Sequence, residues 1–294
     1  MPFGIRTVAV VVLTFALFAG GAARCKPKQV CNGAAALCDR SYEDVAYPTS
    51  HNAMSNADDG WSLPNQEHGI TWQLDNGVRG LMLDAHLNGP AIPTSDVPLG
   101  TPLLCHGYCH FGWQHLAEGL GEITTFLDHH PNEVVTIIFE SYVSPSVMQT
   151  AFEESGLAAY ATDHVAGTPW PTLREMIAAN DRVVVLTDSG GGAYPWYLPV
   201  WAEATENPYS ALTSADLSCA PNRGNPANRL FILNNFLTNP YGRRIFADEV
   251  NANPFLTDQI ERCRAERSDF PNFVTVDFAD RGDLLAAVKT LNGV

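Results

Sequence analysis

The sequence is poor in charged side chains, and positively charged ones are the scarcer kind. Charged residues make up 17% of the 294 residues, and 17 Lys and Arg stand against 32 Asp and Glu, which leaves a formal net charge of -15. A surface of this sign repels polyanions, so the composition argues against a nucleic-acid partner. Because 46% of the residues are hydrophobic, the composition also excludes an intrinsically disordered chain.

One early apolar segment has the length of a signal-peptide core and is too short to span a bilayer comfortably, and no later apolar run is long enough for a transmembrane helix. That segment, residues 8–19, follows Arg6 and precedes small residues, which is the pattern of a secretory signal peptide. Cleavage after Ala23 would separate a signal peptide, residues 1–23, from one mature domain, residues 24–294. An uncleaved anchor is the alternative. We expect a secreted or extracytoplasmic protein, and the sequence indicates no obligate protein partner.

Paired CxxC motifs, the usual spacing of structural zinc sites, are also missing. Seven cysteines are nevertheless present, and in an exported chain they favour disulfides over a metal site. The candidate pairs are Cys31 with Cys38, Cys105 with Cys109, and Cys219 with Cys263. Spacing alone leaves these pairings open, and Cys25 is left over.

Short apolar runs alternate with segments whose apolar residues have helical spacing. The runs cover residues 81–83, 103–105, 134–139, 183–186, 230–233 and 273–276, and the helical segments cover residues 66–76, 113–129, 144–154, 172–179 and 283–291. Short continuous runs are typical of strands buried on both faces of a parallel sheet. The alternation therefore predicts a single α/β domain whose length suits an α/β barrel. A further strand is expected between Asp188 and Arg229, at a position that the sequence does not define.

Polar residues stand where parallel strands of such a barrel would end. They are His51, Asp84, His106, Glu140, Asn234 and Asp277. In a parallel barrel these strand ends share one rim, where active sites form. Each residue alone is also explained as the start of a loop, but two histidines, several acids and an amide together indicate a functional site. Two imidazoles suit phosphodiester cleavage, because one can accept a proton from the attacking hydroxyl while the other donates a proton to the leaving oxygen.

Four segments of the chain carry a more specific signal. They cover residues 50–54, 77–84, 105–107 and 131–140, with looser matches at 170–173 and 271–273. These segments resemble the X region of phosphatidylinositol-specific phospholipases C, and are most similar to the secreted phospholipase-C-like phosphodiesterases of plants, fungi and bacteria. The resemblance implies a distorted TIM (β/α)8 barrel. It also implies an exported phosphoric diester hydrolase or lyase whose partner is a phospholipid or a soluble phosphodiester substrate.

The resemblance further implies catalytic roles. His51 would deprotonate the inositol 2-hydroxyl, which attacks phosphorus, and His106 would protonate the diacylglycerol oxygen as it leaves. A cyclic inositol phosphate forms first in this scheme. Separately, Asp277 is a candidate to orient His51 by accepting its ring N–H, and a cap of the final loop is the alternative role.

A divalent cation, Ca2+ in the calcium-dependent members of the family, is the implied cofactor. Its ligands would be Asn52, Asp84 and Glu140, which match three of the family's ligand positions. Met82 stands where those members have Glu, and a thioether is a poor ligand for a hard cation. We therefore expect a weakened metal site.

Two other functions fit the same residues. A glycerophosphodiester or sphingomyelin-type phosphodiesterase uses a similar barrel with two histidines and a metal, and a catalytically inactive exported binding protein would explain Met82. The presence of both His51 and His106 favours an enzyme. The aromatic, uncharged stretch 194–201 is a candidate for transient contact with a membrane interface, with cover of a barrel edge as the alternative.

Overall fold

The computed structural model describes residues 1–4, 29–90 and 93–294. Most of the expected signal peptide, residues 1–23, lies outside the described residues, as does Cys25, so the expectations for both stay predictions. Among the residues described, no helix is both long and apolar enough to pass through a bilayer.

A ten-stranded sheet forms the centre of the fold. Its strands are β1 (Tyr47–Ser50), β2 (Gly80–Leu87), β3 (Pro102–Leu104), β4 (Gln114–His115), β5 (Val135–Ser141), β6 (Val183–Thr187), β7 (Tyr197–Pro199), β8 (Ala204–Glu206), β9 (Leu230–Asn234) and β10 (Pro271–Val276). Eight of them run parallel, in the order β7-β6-β5-β2-β1-β10-β9-β8. Because β7 and β8 do not pair with each other in the described chain, the curled sheet is a distorted barrel that stays open at this point. The predicted α/β fold is confirmed.

Helices alternate with these strands along the chain. They are α1 (Ile70–Asp75), α2 (Leu116–His129), α3 (Pro145–Glu154), α4 (Leu173–Ala179), α5 (Val200–Glu203), α6 (Arg244–Val250), α7 (Phe255–Arg267) and α8 (Leu284–Asn292). Side-chain caps explain two of their starts. Ser144 accepts a hydrogen bond from the Val147 amide ahead of α3, and Thr172 forms a capping box with Glu175 at α4. Each cap satisfies backbone N–H groups that have no partner within the helix.

Alternation along the strands decides which side chains reach the interior of the barrel. In β2, Leu81 and Leu83 pack outward in an apolar cluster with the helices, whereas Met82 and Asp84 face the interior. The parallel register places Asp84 opposite Glu140 of β5, which faces the same way. The last inward side chains of neighbouring strands are therefore polar and lie side by side.

Aromatic side chains fill the opposite end of the barrel, around the first residue of β1. Tyr42, from the segment before β1, packs its ring 5.0 Å from Tyr47 and 4.6 Å from Trp170. All three are buried, and Phe273 of β10 stacks on Tyr47. Burial of each large apolar side chain is worth roughly 1.5–3 kcal/mol. This end is thus a packed core, and a cleft can form only at the carboxyl ends of the strands.

The three candidate disulfides are confirmed. They are Cys31–Cys38 before β1, Cys105–Cys109 in the loop after β3, and Cys219–Cys263 between the segment after β8 and α7. All six cysteines in the described ranges are paired, which is consistent with an extracytoplasmic protein.

One predicted strand is wrong in direction. The parallel strand expected at residues 103–105 is β3, which pairs antiparallel with β2. The link between β2 and β3 contains no helix in its described residues, and a chain that reverses without a crossover makes an antiparallel pair.

Two helix predictions also needed correction. The helix expected at residues 66–76 begins only at Ile70, because the backbone of Gln66 is hydrogen-bonded to Ser55 and Ala57. The Gln66 side-chain amide donates to the backbone oxygens of His51 and Val276 at 2.7 and 3.2 Å. The helix expected from residue 113 begins after β4. Three further helices of the described chain, α5, α6 and α7, were not predicted. In α7 the buried Leu256, Ile260 and Cys263 do have helical spacing, within a strongly charged segment.

The region between Asp188 and Arg229 contains two short strands, β7 and β8, where one was expected. The aromatic stretch 194–201 contributes β7 and part of α5. Tyr197, Leu198 and Val200 are buried there. Because β7 pairs with β6 at one end of the parallel order, this part of the stretch covers an edge of the sheet, as the alternative interpretation predicted. Contact of the stretch with a membrane stays a prediction.

Candidate active site

The first histidine of the predicted pair is placed by the sheet itself. β1 and β10 pair in parallel with Ser50 opposite Val276, so the next residues, His51 and Asp277, leave the rim side by side. His51 Nδ1 lies 2.9 Å from Asp277 Oδ1, and the His51 ring stacks on Phe236 with centroids 3.9 Å apart. In a neutral imidazole the carboxylate keeps the proton on Nδ1, which leaves Nε2 as an acceptor.

A buried amide network holds Asp277 in turn. Asn65 Nδ2 donates to Asp277 Oδ1 at 3.0 Å, and Asn52 Nδ2 donates to Asn65 Oδ1 at 3.3 Å. Gly242 lies against the same carboxylate, and a Cβ at this position would overlap Asp277 Oδ2. Sequence analysis missed Asn65, Gly242 and Phe236, because they come from loops far apart in the chain and no local pattern marks them.

The second histidine lies in a short loop after β3. Since β3 pairs with β2, Cys105 N–H reaches the Asp84 carbonyl oxygen at 3.2 Å, and His106 Nδ1 then lies 3.0 Å from Asp84 Oδ2. The His106 side chain is 50% exposed, against 21% for His51. The two ring centroids are 6.5 Å apart. Imidazoles that are distant in the sequence therefore share one cleft.

Negative charge around His106 favours its protonated form. Burial alone would lower the pKa of His106, but the hydrogen bond and charge of Asp84, with contributions from Asp277 and Glu140, raise this pKa above its ordinary value. Burial and the charge of Asp84 raise the pKa of Glu140. The hydrogen bond that the Tyr142 hydroxyl donates to Glu140 lowers this pKa and so offsets part of the rise. When His106 is protonated, its charge is therefore surrounded by the carboxyl groups of Asp84, Asp277 and Glu140.

A cavity of about 90 Å³ extends from His51 toward the barrel axis. We call it the inner pocket, and its far wall is formed by Asp188, Trp201, Glu206, Tyr209, Arg223 and Asn234. The Arg223 guanidinium binds both Glu206 carboxylate oxygens, at 2.5 and 3.2 Å, and lies over the rings of Trp201 and Tyr209 at 4.3 and 4.5 Å. Most of this wall comes from the region that the sequence left undefined.

The predicted metal ligands line the inner pocket together, and so does Met82. The charge of Asp84 contributes to the raised pKa of Glu140, and a cation between the two carboxylates would relieve their repulsion. The donor set is nevertheless sparse, since the described part of the chain contains no group of three His, Cys, Asp or Glu side chains suited to a metal ion. Ca2+ takes about six to eight oxygens. Asn52, Asp84 and Glu140 therefore fit such an ion only if water or substrate oxygens complete its shell.

All seven predicted site residues meet in one cleft. The inner pocket is lined by His51, Asn52, Asp84, Glu140 and Asn234. His106 faces the mouth of the cleft beside them, and Asp277 lies behind His51. The mouth has a volume of about 450 Å³.

The described chain is thus an α/β barrel with two histidines at the carboxyl ends of its strands. The family model described as PI-PLC X 1 matches residues 37–292. The chain belongs to the PI-PLC X family.

Three comparisons give the extent of this similarity. A PI-PLC X domain-containing protein 1 of Arthroderma benhamiae is 29% identical over 285 residues, which cover 90% of each protein. A PI-PLC X domain-containing protein of Arabidopsis thaliana is 31% identical over 277 residues, which cover 83% of this chain and 61% of that protein. An uncharacterized secreted protein of Arthroderma benhamiae is 25% identical, over 88% of this chain and 62% of its own length. The chain thus spans less than two thirds of two of these relatives.

A solved structure is similar in fold. A mutant of the phosphatidylinositol-specific phospholipase C of Staphylococcus aureus matches with a TM-score of 0.58 and 14% identity, over 87% of this chain and 95% of that chain. This likeness supports the predicted distorted TIM barrel.

Proposed function

We propose that this protein is an exported phosphodiesterase that cleaves an inositol phospholipid by paired acid–base catalysis. The observation that carries the proposal is that the His51 and His106 rings lie 6.5 Å apart, each with a carboxylate at Nδ1. That arrangement directs Nε2 of each ring to the substrate. Family membership supports the enzyme class, while the disulfides and a relative named as secreted support export.

His51 acts as the base in this proposal. Its Nε2 accepts the proton of a headgroup hydroxyl, whose oxygen attacks phosphorus. Asp277 stabilises the imidazolium that forms, and Asn65 keeps the Asp277 carboxylate in place. The Phe236 ring covers one face of the imidazole and restricts its rotation.

His106 acts as the acid. Its raised pKa favours the imidazolium form, which donates its Nε2 proton to the diacylglycerol oxygen as the P–O bond breaks. The product of this first step is a cyclic phosphate, which the same two groups can hydrolyse with their roles exchanged. Each proton transfer is typically worth about 10²- to 10⁴-fold in rate.

The inner pocket favours an uncharged polyol as the headgroup. Glu206, Asp188 and Glu140 can accept hydrogen bonds from hydroxyls, and their charge outweighs that of Arg223, so an additional phosphate would be repelled. A choline group requires open aromatic faces. Arg223 already lies over both Trp201 and Tyr209. This arrangement weighs against the sphingomyelin-type alternative.

A divalent cation, Ca2+ by the nature of its oxygen donors, is proposed at Asn52, Asp84 and Glu140. When bound there it would neutralise negative charge on the substrate phosphate. Met82 adds no oxygen, so we expect the substrate to assist in holding the ion.

The mouth of the cleft is proposed to touch the lipid surface during catalysis. Five exposed apolar or aromatic side chains surround it, namely Leu63, Tyr108, Phe111, Tyr209 and Tyr241. Side chains of this kind partition into the interfacial region of a bilayer. The transient membrane contact expected from stretch 194–201 is therefore reassigned to this rim.

Product analysis tests the proposal. Incubation with phosphatidylinositol vesicles should release diacylglycerol and a cyclic inositol phosphate, EDTA should slow the release of both, and His51→Ala should lower it by about 10³-fold. Turnover of glycerophosphodiesters or choline lipids alone would instead support the second enzyme class. Absence of turnover with any substrate and any added metal ion would leave an exported binding protein.

A further inference from the structure

The loop that carries His106 has few non-covalent anchors. Among the described residues, no backbone hydrogen bond is formed by His106 or Gly107. Gly107 has φ +63°, so the chain turns sharply at this point, and Tyr108 after it is 56% exposed. The hydrogen bond to Asp84 holds the His106 ring but not its backbone.

The Cys105–Cys109 disulfide provides the anchor that the loop lacks. Cys105 continues from β3, and Cys109 begins the short 3-10 helix Cys109–Phe111. Both cysteines are fully buried in the apolar cluster between the sheet and the helices. The bond therefore closes a ring of residues in which His106 is attached at both ends to the packed core.

We propose that the Cys105–Cys109 disulfide is a positioning element for the reaction, which keeps His106 where its Nε2 reaches the leaving oxygen. The inference rests on the proposed function of His106 as the acid. Displacement of a catalytic group by about 1 Å can slow a reaction by about 100-fold. Since His106 and Gly107 form no backbone hydrogen bond within the described residues, the disulfide is the main restraint on their backbone. The disulfide thus acts on turnover, beyond any effect on folding.

The chain offers a matched control. Cys31–Cys38 also closes a short loop and is also fully buried, but it lies before β1, with the aromatic residues at the other end of the barrel. We would compare C105A/C109A with C31A/C38A. Alanine suits these buried apolar positions, because a serine hydroxyl would be buried without a partner.

Two substrates with the same headgroup distinguish a loss of acid catalysis by His106 from a general loss of activity. Phosphatidylinositol has an alkoxide leaving group that needs a proton, whereas inositol 4-nitrophenyl phosphate has a leaving group that does not. C105A/C109A should lower kcat for phosphatidylinositol by about 10- to 100-fold, with KM within about threefold, and leave the nitrophenyl rate within about threefold. C31A/C38A should leave both rates within about threefold.

Ring 1H–13C NMR signals provide a readout that does not depend on activity. In C105A/C109A the His51 signals should stay unchanged, which reports an intact barrel, while those of His106 shift or broaden. If the double variant does not fold, C109A alone opens the same ring and is measured in the same way. A folded variant with a phosphatidylinositol rate within threefold of the parent overturns the inference, as does an equal loss on both substrates with unchanged His106 signals. If the parent protein turns over neither substrate, the proposed function fails, and the His106 signals alone decide whether the disulfide positions this ring.

Discussion

The two imidazoles of the cleft are held in different ways. His51 follows a strand, its carboxylate partner follows the neighbouring strand, and Phe236 covers its ring. His106 lies on a disulfide-closed loop, with Asp84 as its polar contact and half of its side chain exposed. The proposed base therefore directly follows a strand of the barrel, whereas the proposed acid lies in a loop that a disulfide links to the packed core. Changes near the acid should alter one chemical step and leave the barrel folded.

Removal of the imidazoles should give the largest effects and separate the two roles. His51→Ala should lower kcat by about 10³-fold with both phosphatidylinositol and inositol 4-nitrophenyl phosphate, because both substrates need the base. His106→Ala should cause a loss of that size only with phosphatidylinositol. Calorimetry should show melting temperatures within about 3 °C of the parent. An equal loss on both substrates in His106→Ala would remove the distinction between base and acid.

Asp84→Asn should weaken the acid through its pKa. The acid works when protonated, so activity is lost as pH rises through the raised pKa of His106. Without the charge of Asp84 this pKa falls. The alkaline limb of the kcat/KM profile should then move to lower pH, with kcat reduced by about 10²-fold. Asp44→Asn, before β1, is the control; an alkaline limb at the parent pH in Asp84→Asn would contradict the role of Asp84.

Gly242→Ala should disturb the base without touching its ring. The added Cβ would overlap the Asp277 carboxylate, so we expect about a tenfold lower kcat and a loss of about 1–3 kcal/mol in the free energy of unfolding. Gly121→Ala in α2 is the control, since a Cβ there meets no atom within 4 Å and should stabilise the helix by about 0.5–1 kcal/mol. Full activity in Gly242→Ala would show that Asp277 tolerates displacement.

Met82→Glu should have the smallest effect on the paired histidines and the clearest effect on the proposed ion. A carboxylate at this inward position adds oxygen ligands beside Asp84, so Ca2+ affinity measured by titration calorimetry should rise by about tenfold. Met82→Gln, with an oxygen but no charge, should gain less. If Met82→Glu left the Ca2+ affinity unchanged, Asp84 would not be a metal ligand and its role would be limited to the hydrogen bond with His106.

The features that could be predicted from the sequence are those set by short apolar runs and by the pairing of neighbouring strands. Apolar runs with polar ends predicted strands whose last inward residues meet at a rim, and Asp84, Glu140 and Asn234 lie there together. His51 beside Asp277 follows from the pairing of β1 with β10. Such contacts are set by the parallel register of neighbouring strands, which repeats around the barrel.

Contacts between loops could not be predicted in the same way. Asn65 reaches Asp277, and Arg223 reaches Glu206, through segments without regular periodicity. The antiparallel direction of β3 depended on the absence of a crossover helix, which an apolar run of three residues does not reveal. These features are decided by packing over long sequence distances.

The pairing of the first strand with the last has a consequence for the newly made chain. His51 emerges early, but its partner Asp277 follows β10, near the carboxyl terminus. Asn292 of α8 also accepts a hydrogen bond from the Ala46 N–H and donates one to the Ala46 carbonyl oxygen, just ahead of β1. A nascent polypeptide therefore holds the other groups of the cleft before Asp277 reaches His51, and under the proposed function full turnover begins only after β10 has paired with β1.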